Sequence, residues 1–162
     1  MGKKTYKDNA KYPIIAIDFD DTICMNGYPD PYKGTIHVGA KENINFLYDI
    51  GCKIVIWTSR EDHDGHGNPL SMARNWLVDN GIKFDAINES IEFCPYPYSS
   101  RKIYAHLYID DKGFMFRDSK YMFRDMRDYI LLNILGAPLH GLKSDDPITF
   151  YKKYVDDWRP DI

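Results

Sequence analysis

Two short apolar runs constrain this chain more than any other feature. Ile14-Ile15-Ala16-Ile17 and Ile54-Val55-Ile56-Trp57 show no alternation of polar and apolar residues, so strands built from them have no solvent face. Strands buried on both sides belong to parallel sheets covered by helices. The intervening sequence supplies those helices. Ala40, Ile44, Leu47 and Tyr48 recur at helical spacing and Gly51 gives a stop; Pro69 suits a first turn, and Leu70, Ala73, Trp76 and Leu77 share one face up to Asn80-Gly81. Residues 82–88 and 105–109 read as a third and a fourth strand, and residues 92–100, with Pro95 and Pro97, as a loop. The alternation through residues 14–110 predicts an α/β fold with a mainly parallel sheet. Two further helices follow, over 119–135 and 147–158. The stripe of Tyr151, Val155 and Trp158 is expected to dock on the sheet, with an oligomer interface as the alternative.

Composition narrows the function classes. With 162 residues the chain matches one domain, able to bury roughly two-thirds of its unfolded surface without disulfides. The 21 basic and 24 acidic side chains leave a charge of −3, which argues against a strongly basic nucleic-acid binder but not against a local basic groove. Cys24, Cys52 and Cys94 are odd in number and lack metal-ligand spacing, so a reduced, cytoplasmic setting is expected. Neither a signal peptide nor a membrane span is expected, since no apolar run approaches the required length. Residues 1–12, with Lys3, Lys4, Lys7 and Lys11, read as a basic arm, residues 13–162 as one domain, and 118–162 within it as a helical segment of open role.

The chemistry lies where the strands end. Parallel strands share a direction, so Asp18 and Asp20, Thr58 to Arg60, and Asp110 with Asp111 are expected to meet on one edge, where open α/β sheets bind ligands. Several carboxylates in one place demand a cation, and an all-oxygen set with room for water and phosphate suits Mg²⁺. Asp18 is placed to attack phosphorus as a nucleophile. Asp20, two residues on, is placed to protonate the leaving oxygen and then deprotonate water, a task calling for a raised pKa. Thr58 could bond a phosphoryl oxygen, and Lys102 would neutralise charge. Asp21 reads as a group satisfying local backbone amides.

Four stretches together resemble the haloacid dehalogenase (HAD) superfamily. Asp18-Phe19-Asp20-Asp21-Thr22 after its apolar run is similar to the first signature motif, Ile54 to Thr58 to the second, Lys102 to the third and Tyr108-Ile109-Asp110-Asp111 to the acidic fourth. The resemblance covers residues 14–111 and implies a Rossmann-like three-layer sandwich, an aspartyl-phosphate on Asp18 and one Mg²⁺. It implies metal contacts from the Asp18 carboxylate, the Asp20 carbonyl and one fourth-motif acid. Asp111 is favoured for the direct contact and Asp110 for a position behind it, with the reverse left open.

Neither inter-motif interval is long enough for a cap domain. The first, from Thr22 to Val38, holds about 15 residues, enough for a loop or small flap. The stretches 57–60, 81–88 and 108–112 resemble small capless phosphatases of the polynucleotide 3'-phosphatase type. Ser59 and Arg60 read as substrate contacts, with a structural ion pair as the alternative for Arg60. An open site implies a phosphorylated small molecule or nucleic-acid end as partner, with oligomerisation open and no membrane. Tyr28, Tyr32 and Tyr98 sit on loops that could line an entrance, and a zinc role for His63 and His66 lacks a third ligand. A non-catalytic phospho-ligand or protein-binding module on the same fold is the alternative. A receiver-like signalling domain has the wrong order of Asp, Thr and Lys.

Overall fold

The computed structural model describes residues 10–65, 67–91, 102–113 and 119–160. Four parallel strands form the central sheet: β1 (Ile14–Ile17), β4 (Lys53–Ile56), β5 (Ala86–Ile87) and β6 (Leu107–Ile109), in the order β5-β4-β1-β6. Ile15 pairs with Ile54 on one side and Leu107 on the other. The two apolar runs are thus the two inner strands, and all four residues of β1 are buried. The third strand is shorter than expected. Ile82 is buried, and its N–H closes the end of the preceding helix on the Leu77 carbonyl, while the Lys83 N–H donates to Asn45 Oδ1, so neither pairs in the sheet.

Helices α1 (Ala40–Ile50) and α2 (Pro69–Asp79) fill the crossovers β1→β4 and β4→β5. Right-handed crossovers in one direction put their helices on one face. Ile44, Leu47, Trp76 and Leu77 accordingly share a single buried cluster with Ile15, Ile17, Ile54 and Ile56. On the opposite face Ile14, Ala16 and Val55 are packed by Ile103, with Trp57, Tyr104 and Ala105 partly buried against them. The chain steps outward from β1 to β5, then returns past β1 to β6. This Rossmann-like α/β architecture therefore has its topological switch point between β1 and β6.

The C-terminal segment belongs to the same core. Helix α3 (Met122–Tyr129) runs into a π-turn over Ile130–Ile134, and α4 is Pro147–Asp157. The uniform helix expected to residue 135 thus widens in its last turn. Phe123, Met126, Ile130, Leu131, Tyr151, Val155 and Trp158 all join the cluster beneath α1 and the sheet. The Tyr151 ring meets Phe46 of α1 edge-on at 5.8 Å. Gly51 ends α1 at φ 111°, a conformation that strains any side chain, and a Cβ there would also press on Val155 Cγ1 at 3.1 Å.

Between β1 and α1 the chain makes the small flap that its length allowed. Strands β2 (Cys24–Met25) and β3 (Thr35–Ile36) pair antiparallel around a 3₁₀ turn at Pro31–Lys33. Gly34 is required there, since a Cβ would meet the Gly27 Cα and the Met25 carbonyl at 2.7 Å. No helix among the described residues is long and apolar enough to cross a membrane.

Candidate active site

The carboxyl ends of β1, β4 and β6 open onto a cleft of about 580 Å³. Asp18, Asp20 and Asp21 enter it from β1, Trp57, Thr58, Ser59 and Glu61 from β4, and Asp110, Asp111 and Lys112 from β6. Ladder bonding continues one residue past the strands: Asp18 N–H donates to the Ile109 carbonyl at 2.8 Å and Trp57 N–H to the Ile17 carbonyl at 2.9 Å. The first acid is thus held by the sheet itself, at the switch point.

Carboxylate oxygens of Asp18, Asp110 and Asp111 all lie within 4.8 Å of one another, and all three residues are half-buried. Thr22 organises them. Its fully buried hydroxyl donates to Asp18 Oδ2 at 3.0 Å and accepts the Asp111 N–H at 3.1 Å. Burial is the main force raising the Asp18 carboxyl to about 7; the bond from Thr22 opposes it, and the charges of Asp110 and Asp111 add to it. Three carboxylate oxygens gathered this closely make a hard oxygen donor set of the kind that can hold Mg²⁺. The Asp20 carboxylate is not in the cluster.

Asp20 lines the cleft but gives its carboxylate to Arg60 rather than to the cluster. Arg60 grips this carboxylate with both arms of the guanidinium: Nε donates to Oδ2 and Nη2 to Oδ1, each at 2.8 Å. The Arg60 side chain is wholly buried, and Nη1 donates to the carbonyls of Pro29 and Pro69. Arg60 thus makes the structural ion pair that was the alternative to a substrate contact, with four of its N–H groups bonded inside the protein.

Thr58 is buried at the cleft wall beside Ser59. Its N–H donates to Asn88 Oδ1 at 2.8 Å, while Asn88 Nδ2 donates to the Arg60 carbonyl at 3.2 Å. Asn88 thus holds the 58–60 loop at both ends, from a left-handed φ of 53° at the end of β5. Its sequence signal was its place after the third strand. Thr22 was visible too, as the last position of the first motif, but a threonine does not announce a bridging role. Asp21 behaves as expected: at φ 56° it accepts the Asn26 N–H at 3.0 Å.

Lys102 does not line the cleft. Its ammonium lies 4.8 Å from the centre of the Tyr108 ring, on the face that carries Ala16. The reason is direction: Lys102 precedes β6, and the strand must run its length before reaching the edge where Asp110 stands. Lys112, just past that edge, lines the cleft with Nζ 3.3 Å from Asp111 Oδ2. His63 is exposed beside Glu61 and belongs to no ligand cluster among the described residues. His66, Cys94, Tyr98 and the arm's Lys3, Lys4 and Lys7 lie outside the described residues. Cys24 and Cys52 are buried thiols, pushed up to about 11 and about 12, chiefly by burial. Tyr28 is 70% exposed on the flap, and the Tyr32 hydroxyl donates to Asp79 of α2 at 2.6 Å.

No protein-family model matches the chain, and no curated protein does. Among solved structures it is similar to a conserved protein coded by a locus from Bacteroides thetaiotaomicron, with a TM-score of 0.59 and 27% identity. The likeness covers 74% of this chain and 89% of that one.

Proposed function

We propose that the chain is a Mg²⁺-dependent phosphomonoester hydrolase of the HAD type. The observation that carries this reading is the Asp18–Asp110–Asp111 cluster at the switch point, where three half-buried carboxylates need a cation. Asp18, Asp110 and Asp111 would hold the metal, which when bound supplies positive charge to the acids and to the phosphate. An Asp18 carboxylate oxygen attacks phosphorus, the P–O ester bond breaks, and Asp20 in its acid form gives its proton to the departing oxygen. Asp20 then takes a proton from water, whose oxygen attacks the phosphoryl group on Asp18, releasing phosphate and restoring the Asp18 carboxylate and the acid form of Asp20. Thr58 and Ser59, which line the cleft, would donate to phosphoryl oxygens, and Lys112 would take the charge-neutralising part expected of Lys102.

The charge of the cleft bears on the substrate. Among the described residues six carboxylates line it against the single cation Lys112. That balance supports a small monoester, up to the size of a mononucleotide, over a polynucleotide end, whose neighbouring phosphates would add repulsion.

Phosphate release from aryl, sugar and nucleoside phosphates and a 3'-phosphorylated oligonucleotide, with Mg²⁺ and with EDTA, tests the reading. Release that needs Mg²⁺ and is lost in Asp18→Asn is expected, with small esters ahead of the oligonucleotide. Release that survives both treatments would end the proposal. Phospho-ligand binding without turnover would instead favour a binding module.

A further inference from the structure

Arg60 joins three separate parts of the chain. Besides the two bonds to Asp20, Nη1 donates to the Pro29 carbonyl of the flap at 2.9 Å and to the Pro69 carbonyl at the start of α2 at 3.0 Å. Phe19 and Tyr28 present their rings to the guanidinium, each centred 5.1 Å from Cζ. The flap is fastened a second time on α2, through Tyr32 and Asp79. Burying a guanidinium costs solvation that the Asp20 pair alone does not guarantee to repay. The two carbonyls and two rings complete the compensation, so the pair depends on where the flap sits.

Both Asp20 oxygens accept from one rigid planar fork, which fixes the direction of the carboxyl group as a lysine ammonium would not. We propose that Arg60 is a positioning residue, which sets the aim of the Asp20 carboxyl group and couples it to the seating of the flap. The proposal rests on the hydrolase reading above, in which Asp20 serves the leaving oxygen. An arrangement of this kind lets a substrate seated under the flap decide whether Asp20 is aimed, and it explains a buried cation at a cleft wall without giving it a substrate to bind.

The test compares Arg60→Lys and Arg60→Met with wild type on two Mg²⁺-supported substrates, an alkyl phosphate and 2,4-dinitrophenyl phosphate. The alkyl ester needs its leaving oxygen protonated; dinitrophenolate departs without help. A misaimed Asp20 is expected to slow the alkyl ester about 10- to 100-fold further than the aryl ester, within the range of general acid catalysis. Equal losses on both substrates would make Arg60 merely structural and overturn the proposal, as would no loss. Should neither variant fold, Tyr28→Ala carries the test, since that ring is mostly exposed. It is expected to widen the same gap about two- to five-fold, the size of an exposed cation–π contact, and an unchanged ratio would overturn the coupling. A wild-type protein inactive on both esters would sink the hydrolase reading and this proposal with it. Selective failure in the variants alone separates the two.

Discussion

Thr22 and Asp18, one turn of loop apart, share a hydrogen bond of 3.0 Å, and the same threonine oxygen accepts the Asp111 N–H at 3.1 Å. One buried hydroxyl therefore ties the acid leaving β1 to the acid leaving β6. The cluster is positioned by a neutral donor and the sheet ladder, and with the exposed Lys112 ammonium beside Asp111 its negative charge is only partly compensated.

That excess charge should be visible in stability. Asp18 ionises near 7 in the folded chain, against 3.8 as its ordinary value. Between those pH values the native state holds the extra proton, so without metal this group lowers stability as pH rises from about 4 to about 7 and has no further effect above. Asp18→Asn should accordingly melt with wild type below pH 4 and above it at pH 7.5 in EDTA. Thermal melts across pH check this, and a mutant less stable at pH 7.5 would contradict it. Mg²⁺ should raise the melting temperature of wild type more than that of the mutant.

Replacing Thr22 by valine keeps the shape and removes the bridge. The Asp111 N–H is left without its acceptor, at a cost of about 1–3 kcal/mol in stability. The bond from Thr22 holds the Asp18 carboxyl down, so its loss should move that titration above 7. Carboxyl ¹³C NMR of the metal-free variant reads the shift; a downward move would show that Thr22 does not set the ionisation.

The two lysines can be told apart kinetically. Lys112→Ala should slow turnover about 10-fold, and the loss should shrink with added salt because its ammonium is exposed and screened. Lys102→Ala should leave kcat within about two-fold, because its ammonium rests on Tyr108 away from the cleft. Steady-state rates at two ionic strengths decide this, and the reverse ranking would restore Lys102 to the site.

The C-terminal helices should be inseparable from the fold. Tyr151 is fully buried, and its hydroxyl donates to the Pro138 carbonyl at 2.8 Å. Tyr151→Ala should cost about 3–5 kcal/mol, in line with other large-to-small core changes. Urea denaturation measures it; a loss under 1 kcal/mol would mean that α4 is an appendage.

The apolar runs at 14–17 and 54–57 determined by themselves that the sheet is parallel and buried, and the ends of these runs and of the strand expected over 105–109 placed Asp18, Thr58, Asp110 and Asp111 on one edge. Those inferences hold because side-chain alternation and strand direction are local properties. Tertiary structure alone decided the partners. Arg60 stands two residues after Thr58 in sequence, yet its fate depends on Asp20 and on two proline carbonyls at residues 29 and 69, brought together only when β1, the flap and α2 close around it. Lys102 and Lys112 look interchangeable beside an acidic pair, and only the direction of β6 separates them. Pattern reveals which edge carries the chemistry; long-range packing sets how each charge is used, because the energy of a buried ion depends on neighbours that the chain supplies from far away.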